Sequence, residues 1–226
     1  MLKLSLFIDF DGTITVNDVG YELFKHFTHG ATEQIVTKYR NGAVNSLTCL
    51  SEECRIWNAN PPKQADVLDF LDRQRLRDGL PELIEFLRIH DIDHLILSEG
   101  FDFYIDHILE KNNLTHMPRI TNRASFNDGL IIPTFPYFNL GCRQCSNCKG
   151  YHIEKSLKSG EIVVFIGDGH SDLHACAKAD IIFARSILAK ILDEKKVPYF
   201  PFNDFNEIID SWKSINFEKR LESRAD

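Results

Sequence analysis

No apolar run in this 226-residue chain approaches the roughly 20 residues that a membrane-spanning helix needs. The opening, Met1-Leu-Lys-Leu-Ser-Leu-Phe-Ile-Asp9, meets an acidic residue too soon to hold the apolar region of a signal peptide. Basic residues are in deficit as well: 26 Lys and Arg stand against 33 Asp and Glu, a formal net charge of −7. That balance removes any general attraction for nucleic acid or an anionic membrane, so an anionic substrate needs a local positive centre. The predicted helices carry no His-x-x-x-His pair, which leaves the nine histidines as solvated or core groups by default. Without an export signal, the six cysteines are expected as reduced thiols or as thiolates on a metal. The expectation is a cytoplasmic protein with neither a membrane nor a nucleic-acid partner.

What is present suits a globular chain, since 43% of the residues are apolar and 26% charged. The length allows one α/β domain or a core with a smaller appendage. Leu4 to Phe10 is nearly continuous apolar sequence and predicts a buried parallel strand. After Thr15 the spacing turns helical. Val19, Leu23 and Phe27 share one face; Ile35 and Tyr39 start a second helix; Leu47, Leu50, Cys54 and Trp57 suggest a third; Val67, Leu68 and Leu71 a fourth. Asn60-Pro61-Pro62 breaks the pattern between the last two. Residues 16–79 thus read as a helical module inserted behind the first strand, and residues 1–15 with 80–226 as the core.

In that core, Leu80, Leu83, Ile84 and Leu87 follow helical spacing, with Pro81 tolerated in the first turn. His94–Ser98 is a short strand, and Phe101, Ile105, Ile108 and Leu109 line the next helix. Arg119–Phe126 and Leu130–Phe135, separated by Asn127-Asp128-Gly129, read as a β-hairpin. Glu161–Gly167 is the most strand-like stretch, Ile181–Ala184 a further strand, and Phe205, Ile208, Ile209 and Trp212 a closing helix. Strands alternating with helices predict a parallel sheet covered on both faces, whose ligands collect beyond the carboxyl ends of the strands.

Asp9 and Asp11, Ser98 and Asp168 each stand at such an end. Residues i and i+2 of a strand point the same way, so Asp9 and Asp11 can converge, which is costly without a cation or a proton between them. Gly167-Asp-Gly-His-Ser-Asp172 partly mimics a dinucleotide glycine loop, but Asp172 stands where the third glycine belongs and would repel a pyrophosphate. Carboxylates meeting at strand ends suit Mg²⁺ with phosphate oxygens on it. The Ser98 hydroxyl and the amides of Glu99 and Gly100 can donate to those oxygens, and Lys149 can neutralise the charge. Taken singly, Ser98 also reads as a helix cap and Lys149 as a solvated side chain.

Asp9-Phe-Asp-Gly-Thr13, Ser98 after an apolar strand, a lysine ahead of a buried strand, and Gly167-Asp-Gly-x-Ser-Asp172 resemble the four ordered motifs of the haloacid dehalogenase phosphatases. The helical cap between the first two matches the phosphoserine phosphatase subgroup. The hairpin, the cysteines before the lysine and the tail from Phe183-Ala-Arg185 to Phe205 resemble the methionine-salvage 2-hydroxy-3-keto-5-methylthiopentenyl-1-phosphate phosphatases and the phosphocholine/phosphoethanolamine phosphatases. The resemblance implies a Rossmann-like α/β fold and a Mg²⁺-dependent phosphatase with a small-molecule phosphomonoester substrate. It implies Asp9 as nucleophile forming an aspartyl-phosphate. Asp11 becomes acid and base, binding the metal through its carbonyl; Thr13, Ser98 and Glu99 become phosphoryl ligands. Asp168 becomes a metal ligand supported by Asp172, and the cap a lid carrying specificity.

Asp18 falls where phosphoserine phosphatases place an acid that meets the substrate amine, although an N-terminal helix acid looks the same in sequence. Arg55 is a further candidate for a substrate carboxylate. Cys142, Cys145 and Cys148 have the x₂ spacing that can fold around zinc, but a closed site needs a fourth ligand, which His116 or His152 would have to supply. Three reduced thiols shaping the pocket is the reading preferred over zinc, while Cys49, Cys54 and Cys176 are expected in the core. Of the other function classes, a receiver-like phosphoacceptor protein would carry its phosphorylated Asp after the third strand and lack the insertion. A zinc-supported interaction module would not need Asp9, Asp11, Ser98, Lys149 and Asp168 together. A monomer and a homodimer, the latter through the hairpin, are both compatible with the sequence.

Overall fold

The computed structural model describes residues 3–157, 160–215 and 217. Its strands are β1 (Lys3–Ile8), β2 (Asp93–Phe101), β3 (Arg119–Asn127), β4 (Leu130–Thr134), β5 (Glu161–Gly167), β6 (Ile181–Ala184) and β7 (Phe200–Pro201). They form one seven-stranded sheet in the order β4-β3-β2-β1-β5-β6-β7, parallel throughout except for β4. β1 sits between β2, in register from Ser5↔Asp93 to Ile8↔Ile96, and β5, from Lys3↔Glu161 to Ile8↔Ile166. The chain builds outward from β1 to one edge, then returns to build from its other side. The carboxyl end of β1 is therefore the switch point at which such sheets open a crevice.

Five helices lie between β1 and β2, the first four being α1 (Val19–Phe27), α2 (Glu33–Arg40), α3 (Ser46–Ala59) and α4 (Gln64–Asp72). The others are α5 (Leu80–Ile89), α6 (Asp102–Lys111), α7 (Lys149–Ser156), α8 (Leu173–Cys176), α9 (Ser186–Lys195) and α10 (Phe205–Trp212). The chain leaves for α1 and returns from α4 side by side. The Val16 amide donates to the Arg75 carbonyl at 3.0 Å and the Arg77 amide to the Ile14 carbonyl at 2.8 Å.

Alternation along the strands sorts side chains into two cores. Leu6, Ile8, Val164 and Ile166 face one that also takes Leu83 of α5, Ile208 of α10, and Leu23, Phe24, Trp57, Val67 and Leu71 of α1, α3 and α4. Phe7, Leu97, Val163 and Phe165 face the other, against Ile153, Ala175, Leu188 and Leu192. Covered on both sides, β5 is buried at every position, which is why its sequence is unbroken apolar.

Two expectations are refined. β1 ends at Ile8 rather than Phe10, because Phe10–Ile14 folds into a tight turn. The hairpin does not project: β3 pairs with β2, so the hairpin extends the sheet. Its outer edge is met by α3. Asn58 pairs with both backbone groups of Ile131, receiving from its amide at 2.9 Å and donating to its carbonyl at 2.6 Å, while Trp57 Nε1 donates to the Gly129 carbonyl at 2.7 Å. Gly129 has φ 79° and lies so close to the Pro62 carbonyl that a Cβ would come within 2.0 Å of it, so only glycine closes this turn. Among the described residues no helix is long and apolar enough to cross a membrane.

Candidate active site

The end of β1 fixes the site. The Asp9 amide continues the ladder by donating to the Ile166 carbonyl at 2.9 Å, so Asp9 leaves the sheet in strand geometry with its side chain 6% exposed. Gly12 then turns the chain with φ 75°, and a Cβ there would lie 2.5 Å from Asp168 Oδ2. The turn's outward carbonyls are gathered by one buried guanidinium. Arg77 donates to Gly12 O at 2.6 Å, Thr13 O at 2.8 Å, Thr15 O at 3.1 Å and Val16 O at 3.2 Å, and Arg185 adds a bond to Gly12 O at 2.9 Å. Burial, with Arg185 nearby, lowers the Arg77 pKa to about 10, which leaves it charged at neutral pH.

Lys149 opens α7 and reaches under this turn. Its ammonium, 1% exposed, donates to Asp9 Oδ1 and to Asp172 Oδ1, each at 2.5 Å, and to Ser171 Oγ at 3.3 Å. Burial works against its charge, but the two carboxylates outweigh that and raise its pKa. Asp172 spends its other oxygen on the amides of Asp168 and Gly169, both at 2.9 Å. With both oxygens occupied, Asp172 braces Lys149 and the loop after β5. Oxygens of Asp9, Asp168 and Asp172 all lie within 4.8 Å of one another. Burial, then Asp172, push Asp9 well above the usual carboxylate range against the pull of Lys149. Burial and the same neighbour raise Asp168 to about 6. Crowded acid oxygens that resist ionising alone are a donor set suited to a hard divalent cation such as Mg²⁺. The Asp11 side chain does not join this group.

Asp11 turns instead toward the helices. Its Oδ1 accepts from the Gly20 amide at 3.0 Å, and its Oδ2 accepts from the Tyr104 hydroxyl at 2.8 Å and from Ser98 Oγ at 3.3 Å. Burial, with Asp18 adding to it, raises this carboxyl to about 7 against the pull of Tyr104 and Gly20. Ser98 Oγ also accepts from the Gly100 amide at 2.9 Å. Gly100 has no side chain because a Cβ would fall 1.8 Å from the Tyr104 hydroxyl. Thr13 Oγ1 donates to Asp168 Oδ1 at 3.3 Å.

Asp9, Asp11, Ser98, Glu99 and Asp168 all line one cavity of about 490 Å³, which continues between α1, α2 and α3. Asp18 lines it and is also the N-cap of α1, accepting from the Tyr21 amide at 2.9 Å. Ser46, Cys49 and Glu53 line the cavity from one stripe of α3, and Tyr39 and Arg40 from the end of α2. Arg55 is not among them: it sits on the outer side of α3, paired with Glu52 at 2.6 Å and 68% exposed. Sequence reasoning missed Tyr104, Arg77 and Asn147. The last, fully buried beside Lys149, donates to the Ser98 carbonyl at 2.8 Å and receives the His152 ring at 2.5 Å. An Arg near the end of the predicted helical module, beyond its last helix, and an Asn before the motif lysine, were the available signals.

The cysteine loop corrects one expectation. His152 is engaged by Asn147 and by the rings of Tyr137 and Tyr151, and His116 is likewise outside the thiol group. The histidine that Cys142, Cys145 and Cys148 meet is His174. Cys49, Cys54 and Cys176 are buried, as expected.

A family model described as "Putative Phosphatase" matches residues 4–197. The chain belongs to that family. Curated relatives of this phosphatase include 2-hydroxy-3-keto-5-methylthiopentenyl-1-phosphate phosphatases. That of Exiguobacterium sibiricum is 29% identical over 214 residues, covering 92% of this chain and 96% of its own. That of Bacillus mycoides is 27% identical, covering 95% and 98%. Among solved structures, a phospho-aspartyl intermediate analogue of phosphoserine phosphatase superposes with a TM-score of 0.71 at 22% identity, over 93% of this chain and 99% of the other. A substrate-bound phosphoserine phosphatase complex gives 0.69 at 21% identity, over the same shares. The phosphatase thus has the fold of these enzymes.

Proposed function

We propose that the phosphatase hydrolyses a small phosphomonoester in two displacements, with Mg²⁺ held by Asp9, Asp168 and the Asp11 carbonyl and Asp172 bracing them. The observation that carries this reading is the ammonium of Lys149 between Asp9 and Asp172 at the end of β1, with Asp11 one turn away and near neutrality. Asp9, whose carboxylate Lys149 favours and a bound cation would favour further, attacks phosphorus, displaces the alkoxide and forms an aspartyl-phosphate. Asp11, protonated at first, gives its proton to the leaving alkoxide and then takes one from the water that splits the intermediate. Tyr104 and Gly20 hold that carboxyl on the cavity side. Ser98, Thr13 and the Glu99 amide receive the phosphoryl oxygens, and Lys149 offsets the charge that develops. The cation, when bound, supplies charge neutralisation among the carboxylates and phosphoryl oxygens. Residues 16–79 act as the lid that keeps water from the reacting centre.

For the leaving group we propose the 2-hydroxy-3-keto-5-methylthiopentenyl unit of methionine salvage. It is supported by similarity running nearly end to end in both chains, and by Phe24, Val36, Leu50 and Phe101, which offer apolar wall to a methylthio chain. A second reading, an amino-alcohol ester such as phosphoserine, phosphoethanolamine or phosphocholine, is favoured by Asp18, Glu53 and Glu99 around the same cavity, which suit a cationic group. A phosphomonoester panel assayed with Mg²⁺ separates the two. The first expects the highest kcat/KM for the enol phosphate, and a clear preference for an amine-bearing ester overturns it. Asp9→Asn is expected to abolish turnover with the fold intact by circular dichroism; turnover surviving in that variant removes the covalent route.

A further inference from the structure

Phe135 to Cys148 is a stretch of 14 residues with neither helix nor strand, yet it carries the approach to Lys149 and bonds to Ser46, which lines the cavity. Loops of that length in compact proteins need something besides regular structure to hold them. Its polar ties to the rest gather at residues 143–147: Ser46 N donates to Gln144 O at 2.9 Å, Asn45 Nδ2 to Arg143 O at 3.2 Å, Ser146 N to Ser46 Oγ at 2.5 Å and Asn147 Nδ2 to Ser98 O at 2.8 Å, while Ser146 Oγ accepts from Asn122 Nδ2 at 2.7 Å and donates to Glu99 Oε2 at 3.2 Å. Cys142, Cys145 and Cys148 turn inward from this loop, all free of disulfides. One atom of α8 faces all three: His174 Nδ1 lies 3.6 Å from Cys142 Sγ, 3.1 Å from Cys145 Sγ and 3.9 Å from Cys148 Sγ.

The four donor atoms lie within 4.8 Å of one another. Zinc–sulfur bonds of about 2.3 Å and zinc–nitrogen bonds of about 2.0 Å make the edges of a tetrahedron about 3.5–3.8 Å long, and the distances from Nδ1 bracket that value. Two further details belong to a thiolate cup. The Cys145 amide donates to Cys142 Sγ at 3.3 Å, which fixes that sulfur on the cup's side of the loop. Gly141 packs against Cys148, where a Cβ would stand 3.0 Å from its sulfur, so the loop is drawn as tightly over the cluster as glycine allows.

The geometry points to a closed structural zinc site formed by Cys142, Cys145, Cys148 and His174. With four protein ligands it has no open position for substrate or water, so it binds rather than reacts. Its place gives it a task. Cys148 precedes Lys149 directly, and His174 follows Asp172 by two residues. The zinc ties the start of α7 to the loop after β5, the two segments whose side chains meet at the Lys149–Asp172 bond. It therefore positions the lysine without touching the phosphate.

The test is made on the whole chain, independently of any substrate. Protein expressed with zinc in the medium and purified under reducing conditions is expected to retain one zinc per chain after dialysis against EDTA-free buffer. Replacing it with Co²⁺ is expected to give the intense visible bands and sulfur charge-transfer absorption of a tetrahedral thiolate site. His174→Ala is expected to lower retained zinc severalfold and change the cobalt spectrum, whereas Cys176→Ser, which alters a buried thiol outside the cluster, and Asp168→Asn are expected to leave both as they are. Substoichiometric zinc in folded wild-type protein with no tetrahedral cobalt spectrum overturns the site. So does an unchanged cobalt spectrum in His174→Ala. Should that variant fail to fold, His174→Cys replaces it, with one metal retained and the charge-transfer band strengthened; an unaltered band counts against the assignment.

Discussion

The titration of Asp11 is set by a small number of opposed neighbours, which makes it testable by removing them one at a time. Burial and Asp18 hold its proton on; the Tyr104 hydroxyl and the Gly20 amide favour the carboxylate. An acid must carry its proton when the leaving group departs, so kcat should fall as pH rises through a value near 7. Deleting the Tyr104 hydroxyl removes a donor to the ionised form and raises the Asp11 pKa, so in Tyr104→Phe the alkaline limb should move to higher pH. A hydrogen bond to a charged group is worth about 1.5–3 kcal/mol, which corresponds to a shift on the order of one pH unit. Asp18→Asn should move the limb the other way, since it removes a like charge. A kcat–pH profile that keeps its alkaline limb in both variants would remove Asp11 from the acid role. Residues of this kind divide into two sorts. Asp9, Asp11, Ser98, Lys149 and Asp168 were legible because each follows an apolar run or stands in a short polar motif. Tyr104, Arg77 and Asn147 were not, because their importance lies in whom they touch. Tyr104 sits on an ordinary amphipathic helix, and only the bare backbone at Gly100 lets its hydroxyl reach Asp11.

At the scale of elements, period and punctuation carried most of the fold. The five helices between β1 and β2, the apolar part of β2 and β5 follow from spacing of apolar residues, since each helix must bury one face and a central strand both. What spacing does not contain is which edge meets which partner. Asn127-Asp128-Gly129 announces a turn, but nothing local says that β3 will pair with β2 or that α3 will close the far edge through Asn58. The two-residue β7 was invisible for the same reason: it exists only through its ladder to β6. Asn58 offers a direct check. A leucine there would leave the buried Ile131 amide and carbonyl without their partner, at a cost of about 1–3 kcal/mol. Asn58→Leu should lower the unfolding free energy by that amount in denaturant titrations while kcat stays near the wild-type value, since Asn58 does not line the cavity. A variant as stable as the wild type would mean that the edge is closed by other means.

For the molecule as a whole, the acidic excess and the site are parts of one balance. Asp9 and Asp172 share the ammonium of Lys149, and Asp168 stands beside them with Arg185 near it, so the cluster crowds three acid groups inside a fold that is itself at −7. A carboxyl whose folded pKa is raised contributes stability that is fully present below its unfolded value, near 3.8, and lost as pH climbs through the folded value, about 6 for Asp168. The protein without its cation is therefore expected to lose stability between roughly pH 4 and 6 through this cluster, and a divalent cation should restore it above that window by binding the ionised carboxylates. At about 100 times its dissociation constant a ligand that binds only the folded state contributes about 2.7 kcal/mol, or roughly 5–10 °C for a chain of this size. Thermal melts with and without Mg²⁺ should show a rise of that order at pH 7.5 that shrinks toward pH 5, where protons already occupy the site. Asp168→Asn should melt higher than the wild type without Mg²⁺ at pH 7.5 and respond to Mg²⁺ much less. A Mg²⁺ response that is equal at both pH values, or unchanged in Asp168→Asn, would place the cation somewhere other than the end of β1.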